Sequence, residues 1–244
     1  MTVQAQADSR TVAPEDRPSS DVLERAAGRL GDLVLRRTGP DLEIIAGGTF
    51  LISSANVVSS VAPITAGLSF LGSAAEPRPA VDVLIGGLGL GYTLDAALAE
   101  PRVGRVTVSE YEPVIADWFR SYGGPRAERF AADEAAGRAR IVLADVAEVM
   151  RSGPETFDLI ALDTDNGPDW LVRRDNAGLY DEAGLALARS ALRPDGVAVF
   201  WSPERYDWFG ERLSAAFPRV DTVTAHDRLG GRQLEYTMYV ARKP

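Results

Sequence analysis

Four carboxylates and one glycine-rich turn carry most of the chemistry visible in this chain. The turn lies in VDVLIGGLGLGYTLDAALAE, residues 81–100, where Gly87, Gly89 and Gly91 are spaced G-x-G-x-G at the end of an apolar run. Glu110 follows nineteen residues after Gly91, at the end of a second apolar stretch, RVTVSEYE. Asp145 follows RIVLA, and Asp163 and Asp165 stand in LDTDNGP behind the apolar FDLIA. A carboxylate placed like Glu110 can accept hydrogen bonds from both hydroxyls of a ribose. One placed like Asp145 can receive an adenine amino group, and Asp163 and Asp165 close on the same rim. Each has a plainer use taken singly. Gly89 suits any tight turn, Glu110 a solvated strand end, Asp145 a helix N-cap, and Asp163 and Asp165 loop acids that satisfy backbone N–H groups. Together they fall at four successive strand ends, as a nucleoside pocket requires.

Other chemistries are excluded or poorly served. The dinucleotide fingerprint needs a glycine at 92, counted from Gly87, and Tyr92 stands there. That disfavours an NAD-dependent oxidoreductase. A phosphate-binding loop ending in G-K-[ST] is absent, and Lys243 is the only lysine. With no cysteine and His226 as the only histidine, thiolate chemistry is excluded, a histidine-built triad has little to work with, and no metal site is expected. His226 reads as an ordinary loop residue. A net charge of −9 is unfavourable for nucleic acid and favourable for cationic small molecules.

The elements that must hold these acids follow from hydrophobic patterning. From residue 81 onward, short apolar runs typical of strands buried on both faces alternate with helical stretches: YTLDAALAE, PVIADWFRSYG, VAEVMRS, DEAGLALARSALRPDG and RYDWFGERLSAAF. The fourth of these ends in a Pro194-Asp195-Gly196 stop. Such alternation predicts a mainly parallel sheet with right-handed crossovers. The last two strands, RVDTVTA and EYTMYVARK, are joined by Gly230-Gly231 and must be antiparallel to each other. Before residue 81 the pattern differs. LGDLVLRRTGPDLEIIAGGTFLISS reads as two or three antiparallel strands, VAPITAGLSFLG as a helix with Pro63 in its first turn, and SAAEPRPA as a linker. Residues 47–75 carry no charge, but Pro63, several glycines and Ser53, Ser54, Asn56, Ser59 and Ser60 interrupt them, so no membrane span is expected. The start is polar, without the apolar block of a signal peptide, and reads as a disordered tail. The expected division is residues 1–28 as tail, 29–78 as a small β-rich domain with a helix, and 79–244 as a Rossmann-like nucleoside-binding domain, in the cytoplasm.

These residues resemble the class I S-adenosylmethionine-dependent transferases, and more narrowly the spermidine synthase family. The likeness rests on Gly87-x-Gly89-x-Gly91, Glu110, Asp145 and the strand ending at Asp163. LDTDNGP resembles that family's D-[SA]-[ST]-D-P-x-G-P segment, and LYDEAGLALARSALRPDGV resembles the stretch that follows it. The resemblance spans roughly residues 30–244 and is strongest over 81–200. It implies a seven-stranded sheet ordered 3-2-1-4-5-7-6, a homodimer, a small-molecule acceptor such as an amine, and Asp163, with Asp165 beside it, as the catalytic carboxylates. It assigns Gly87, Gly89, Gly91, Glu110 and Asp145 to the donor, S-adenosylmethionine or its decarboxylated form. The chain departs from the family in two places. The family's turn, G-G-G-D-G-G, holds the aminopropyl amine with its Asp, whereas here Gly89 stands at or beside that position. The family's Y-H-E segment faces an uncharged LISSANVVSSVAPITAG. Because a carboxylate-bearing donor tolerates loss of the turn acid, methyl transfer from S-adenosylmethionine is the favoured expectation. Aminopropyl transfer from the decarboxylated donor and a catalytically silent nucleoside-binding protein are the alternatives.

Overall fold

The computed structural model describes residues 20–71, 80–164, 167–229 and 232–244. The first element is an antiparallel meander, β1 (Ser20–Gly28), β2 (Gly31–Thr38), β3 (Asp41–Ala46) and β4 (Thr49–Ser53), paired in that order. Alternation sets its faces: Leu33, Leu35, Ile44 and Ala46 are buried. The β3–β4 hairpin turns on Gly47 and Gly48, both at positive φ (55° and 80°), as a two-residue turn matched to strand twist demands. β1 occupies residues 20–28, which the sequence pattern assigns to the tail. Its burial is slight, so little hydrophobic signal marks it. Residues 1–19, and most of the expected linker, lie outside the described residues.

α1 (Val58–Phe70) begins earlier than expected, so Pro63 stands inside the helix rather than in its first turn. It packs on the large sheet, against β8, β9, β10 and β11. A Cβ on Gly67 would lie 2.3 Å from Leu159 Cδ1, so this glycine permits the close approach of helix to sheet.

The large sheet contains β5 (Val81–Gly86), β6 (Val103–Ser109), β7 (Ala139–Val142), β8 (Phe157–Leu162), β9 (Leu192–Ser202), β10 (Arg219–Leu229) and β11 (Arg232–Arg242). Their order is β10-β11-β9-β8-β5-β6-β7, which is the expected 3-2-1-4-5-7-6 when this sheet's strands are numbered alone. β5 to β9 are parallel, β11 runs antiparallel to β9, and β10 antiparallel to β11. The connecting helices are α2 (Tyr92–Ala99), α3 (Pro113–Tyr122), α4 (Pro125–Ala135), α5 (Val146–Ser152), α6 (Ala177–Tyr180), α7 (Glu182–Ala191) and α8 (Asp207–Ala216).

Two cores result, one on each face of the sheet. Val83, Ile85, Leu159 and Ala161 face one core with Leu94 and Phe119, and Leu84, Ile160 and Leu162 face the other with Met150, Leu185 and Phe209. Burial on both faces is why these strands read as continuous apolar runs. The sequence pattern does not mark α4, because it buries little beyond Phe130. The predicted Pro-Asp-Gly stop lies inside β9: α7 ends at Ala191, and Asp195 takes a positive φ of 61° within the strand. No helix among the described residues is long and apolar enough to cross a membrane.

Candidate active site at the switch point of the sheet

β5 feeds β6 on one side and pairs with β8 on the other, so strand order reverses at β5. A crevice opens beyond the carboxyl ends of strands at such a point. Here it is a cavity of ≈ 370 Å³ lined by Gly87, Gly89, Glu110, Asp145 and Asp163. The meander covers it with Phe50, Ile52, Ser53 and Asn56, and α1 adds Ser59 and Ser60. His226 lies away from it on β10, exposed and 3.4 Å from Glu235.

Glu110 is only 5 % exposed. Its Oε2 accepts from Leu88 N and its Oε1 from Glu112 N, both at 2.8 Å. Burial pushes its carboxyl pKa above the ordinary value. Backbone N–H groups of Glu112, Leu88 and Tyr111 oppose the rise, and the like charge of Glu112 adds to it. A carboxylate has about four acceptor positions, so after two backbone bonds Glu110 retains capacity for two hydroxyl donors.

Asp145 serves two structural partners. It caps α5, its Oδ1 accepting from Ala147 N at 2.8 Å, and its Oδ2 pairs with Arg173. The Arg173 guanidinium lies 4.3 Å from the centre of the Tyr111 ring, and Arg29 lies 5.0 Å from that ring. Tyr111 therefore has a cation beside it from each of two distant chain segments. Arg173 and Tyr111 both line the cavity.

The three turn glycines do different things. Gly87 has φ of +90°, and a Cβ there would lie 2.9 Å from the Asp163 carbonyl oxygen, so it lets the turn close against the end of β8. A Cβ on Gly89 would lie 3.1 Å from Ile52 Cδ1 of the meander. Gly91 caps α2 at φ of 80°, and a Cβ there would lie 2.2 Å from Phe119 Cε2, so its place is set by packing against α3. Gly91 is not among the lining residues. Asp163 lines the cavity, with its backbone N–H bonded to Gly86 O at 3.2 Å. Asp165 lies outside the described residues.

Several side chains here carried little signal in the sequence. Asn56 Nδ2 donates to the Tyr236 hydroxyl, and Trp201 stacks on Tyr236 with ring centroids 5.5 Å apart. All three line the cavity, and burial pushes the Tyr236 pKa up, so its hydroxyl stays neutral. Glu112, fully buried, receives the Leu30 backbone N–H and ties the meander to the start of α3. The uncharged run that could have shown Asn56, Ser59 and Ser60 as cavity wall reads equally well as core.

No family model matches the chain. In sequence it is 32 % identical over 158 residues to a polyamine aminopropyltransferase of Pyrobaculum calidifontis, covering 60 % of this chain and 52 % of that protein. The chain thus spans about half the length of that relative. In fold it is similar to a spermidine synthase solved with the transition-state analogue AdoDATO (TM-score 0.72, 20 % identity, 92 % of this chain and 74 % of the other). The spermidine synthase of Thermotoga maritima matches equally (TM-score 0.72, 20 % identity, 92 % and 73 % covered). A probable spermidine synthase of Corynebacterium glutamicum gives a TM-score of 0.63 at 16 % identity, over 89 % and 79 % of the two chains. The resemblance to the spermidine synthase family thus stands in sequence and in fold.

These likenesses correct the expectation of methyl transfer. The proteins matched are named for aminopropyl transfer, so methyltransferase, with S-adenosyl-L-methionine as donor, does not stand as the favoured class. The physical reason lies at Gly89. In the sequence its lack of a side chain reads as a statement about donor charge, yet Ile52 of the meander packs over that position. A glycine there answers to the packing of the meander on the turn and says nothing decisive about the donor.

Proposed function

We propose that this chain transfers an aminopropyl group from decarboxylated S-adenosylmethionine to a small-molecule amine. The observation that carries this reading is the cavity at the switch point, where Glu110, Asp145 and Asp163 meet in a chain similar to a polyamine aminopropyltransferase. Glu110 receives the two ribose hydroxyls on the acceptor positions that its backbone bonds leave over. Asp145 receives the adenine amino group beside its cap and its Arg173 pair, and Tyr111 offers a ring face to the nucleoside. Gly87 lets the backbone come close to the donor.

Asp163 faces the reacting centre. The neutral amine nitrogen attacks the methylene carbon bonded to the sulfonium. A C–N bond forms as the C–S bond breaks, and methylthioadenosine leaves as a neutral thioether. The proton released from the new ammonium passes to Asp163 or through it to water. Holding the amine in line with the C–S bond supplies much of the rate, because the reaction needs few groups beyond correct placement. With Gly89 at the turn, the donor's own ammonium relies on Asp163 and on the field of a chain of net charge −9.

The test is incubation of the purified chain with the decarboxylated donor and a panel of amines, with methylthioadenosine release and product mass as readouts. An acceptor heavier by one aminopropyl group is the expected result. Absence of methylthioadenosine with every amine would overturn the proposal.

A further inference from the structure

Asp145 and Arg173 reach the cavity wall from different parts of the chain. Asp145 stands just after β7, and Arg173 comes from the segment that follows β8 and also lines the wall with Val172 and Asn176. Arg173 Nη2 donates to Asp145 Oδ2, and the guanidinium lies 4.3 Å from the centre of the Tyr111 ring. Two contacts therefore fix it: the carboxylate sets its edge and the ring supports its face. The side chain is 19 % exposed. Burial works against its charge, but the bond and charge of Asp145, with the charges of Tyr111 and Asp175, outweigh it and hold the pKa above the ordinary value. Arg173 is a permanent cation whose N–H groups can only donate.

One of those groups is unused. The Arg173 Nε–H is buried and makes no hydrogen bond, and Asp175 Oδ2, at 3.9 Å, stands too far away for one. A buried donor left unpaired is costly, so a ligand that brings an acceptor to it gains by doing so. The wall thus presents a carboxylate acceptor joined to a guanidinium with a donor to spare. Adenine has the complementary edge. Its amino group donates, and the ring nitrogens that flank it, N1 and N7, accept. A purine with oxygen in place of the amino group would set a carbonyl against the Asp145 carboxylate.

We infer that Arg173 is a specificity-determining residue for the donor: its Nε–H donates to a ring nitrogen beside the adenine amino group that Asp145 receives. This rests on the nucleoside site of the aminopropyl-transfer reading and adds the group that reads the base.

Calorimetry on the wild-type full chain tests it with methylthioadenosine and its 1-deaza and 7-deaza analogues, each of which replaces one ring nitrogen by C–H. One of the two analogues should bind at least about tenfold more weakly than the parent, since a hydrogen bond from a charged donor is lost. In Arg173→Met the parent should weaken by a similar factor and that analogue should bind as well as the parent does. Arg173→Lys keeps a cation beside Asp145 but lacks the Nε–H, and should lose the same discrimination. A merely structural Arg173 would leave the ratio of parent to analogue unchanged in both variants, and that result would overturn the inference. Equal binding of all three ligands by the wild-type chain would overturn it whether or not either variant folds, and would leave the nucleoside site standing. No binding of methylthioadenosine by the wild-type chain would overturn the nucleoside site itself.

Discussion

Over β5, β6 and β7 the cavity wall carries Glu110 and Asp145, each already bound to backbone N–H groups. Over β8, β9 and β11 it carries Asn56, Trp201 and Tyr236, with Asp163 as the carboxylate of this half among the described lining residues. In the first half the chemistry-bearing groups also hold the fold. Glu110 fixes the start of the glycine turn and the entry to α3, and Asp145 starts α5. In the second half Asn56 bonds to Tyr236 and so joins the end of the meander to the last strand. Specificity can therefore change in the second half with little cost to the sheet, whereas changes in the first half weaken binding and folding together.

The comparison breaks most directly at Asp163. Asp163→Asn keeps the shape and removes the charge and most of the basicity. Turnover, followed by methylthioadenosine release, should fall by about 10²-fold, the common scale for a general base. Donor affinity by calorimetry should fall far less than turnover, because the ribose and adenine contacts lie in the other half and only the donor ammonium loses its carboxylate. Unchanged turnover would take Asp163 out of the chemistry.

Glu110→Ala should lower donor affinity by at least about tenfold, as two hydrogen bonds to a charged acceptor are lost. It also leaves Leu88 N and Glu112 N without their acceptor, so thermal unfolding should show a loss of about 1–3 kcal/mol. Loss of affinity without loss of stability would separate the two duties. The pH dependence has opposite signs for them. The folded chain holds the Glu110 proton more tightly than the unfolded chain, so this group's contribution to stability is lost as pH rises from 4.5 through the raised folded value. Donor affinity depends on the ionised form and should fall as pH drops through that value. A calorimetric pH series on the wild-type chain checks the sign.

Gly91→Ala tests whether the turn is uniform. The added Cβ meets Phe119 in a left-handed backbone conformation, so stability should fall by about 1–2 kcal/mol or more. Donor affinity of the folded fraction should not change. A loss of affinity at constant stability would return Gly91 to the donor site.

The smallest effect is expected at Asp145. Asparagine caps helices as well as aspartate does, so Asp145→Asn keeps α5. The partly exposed pair with Arg173 is worth at most about 1 kcal/mol. Donor affinity should fall by about threefold, the difference between a charged and a neutral acceptor. A large gain in affinity would mean that Arg173 competes with the nucleoside for this carboxylate.

The amino-acid sequence by itself determined the parallel sheet, its covering helices and the placing of acids at strand ends. Those features follow from local periodicity and from turn residues such as Gly87 and Gly47-Gly48, whose effects act within a few positions. It left β1 and α4 unmarked because neither buries enough apolar surface to make a pattern. The tertiary structure alone decided what each acid touches. Asp145 meets Arg173 across 28 positions, Glu112 meets Leu30 across 82, and Asn56 meets Tyr236 across 180. It also decided that Gly89 packs under Ile52, the contact that removes the argument for methyl transfer. Such partners are chosen by how the meander and α1 close over the sheet. That closure depends on long-range packing, which leaves no periodic trace in the chain.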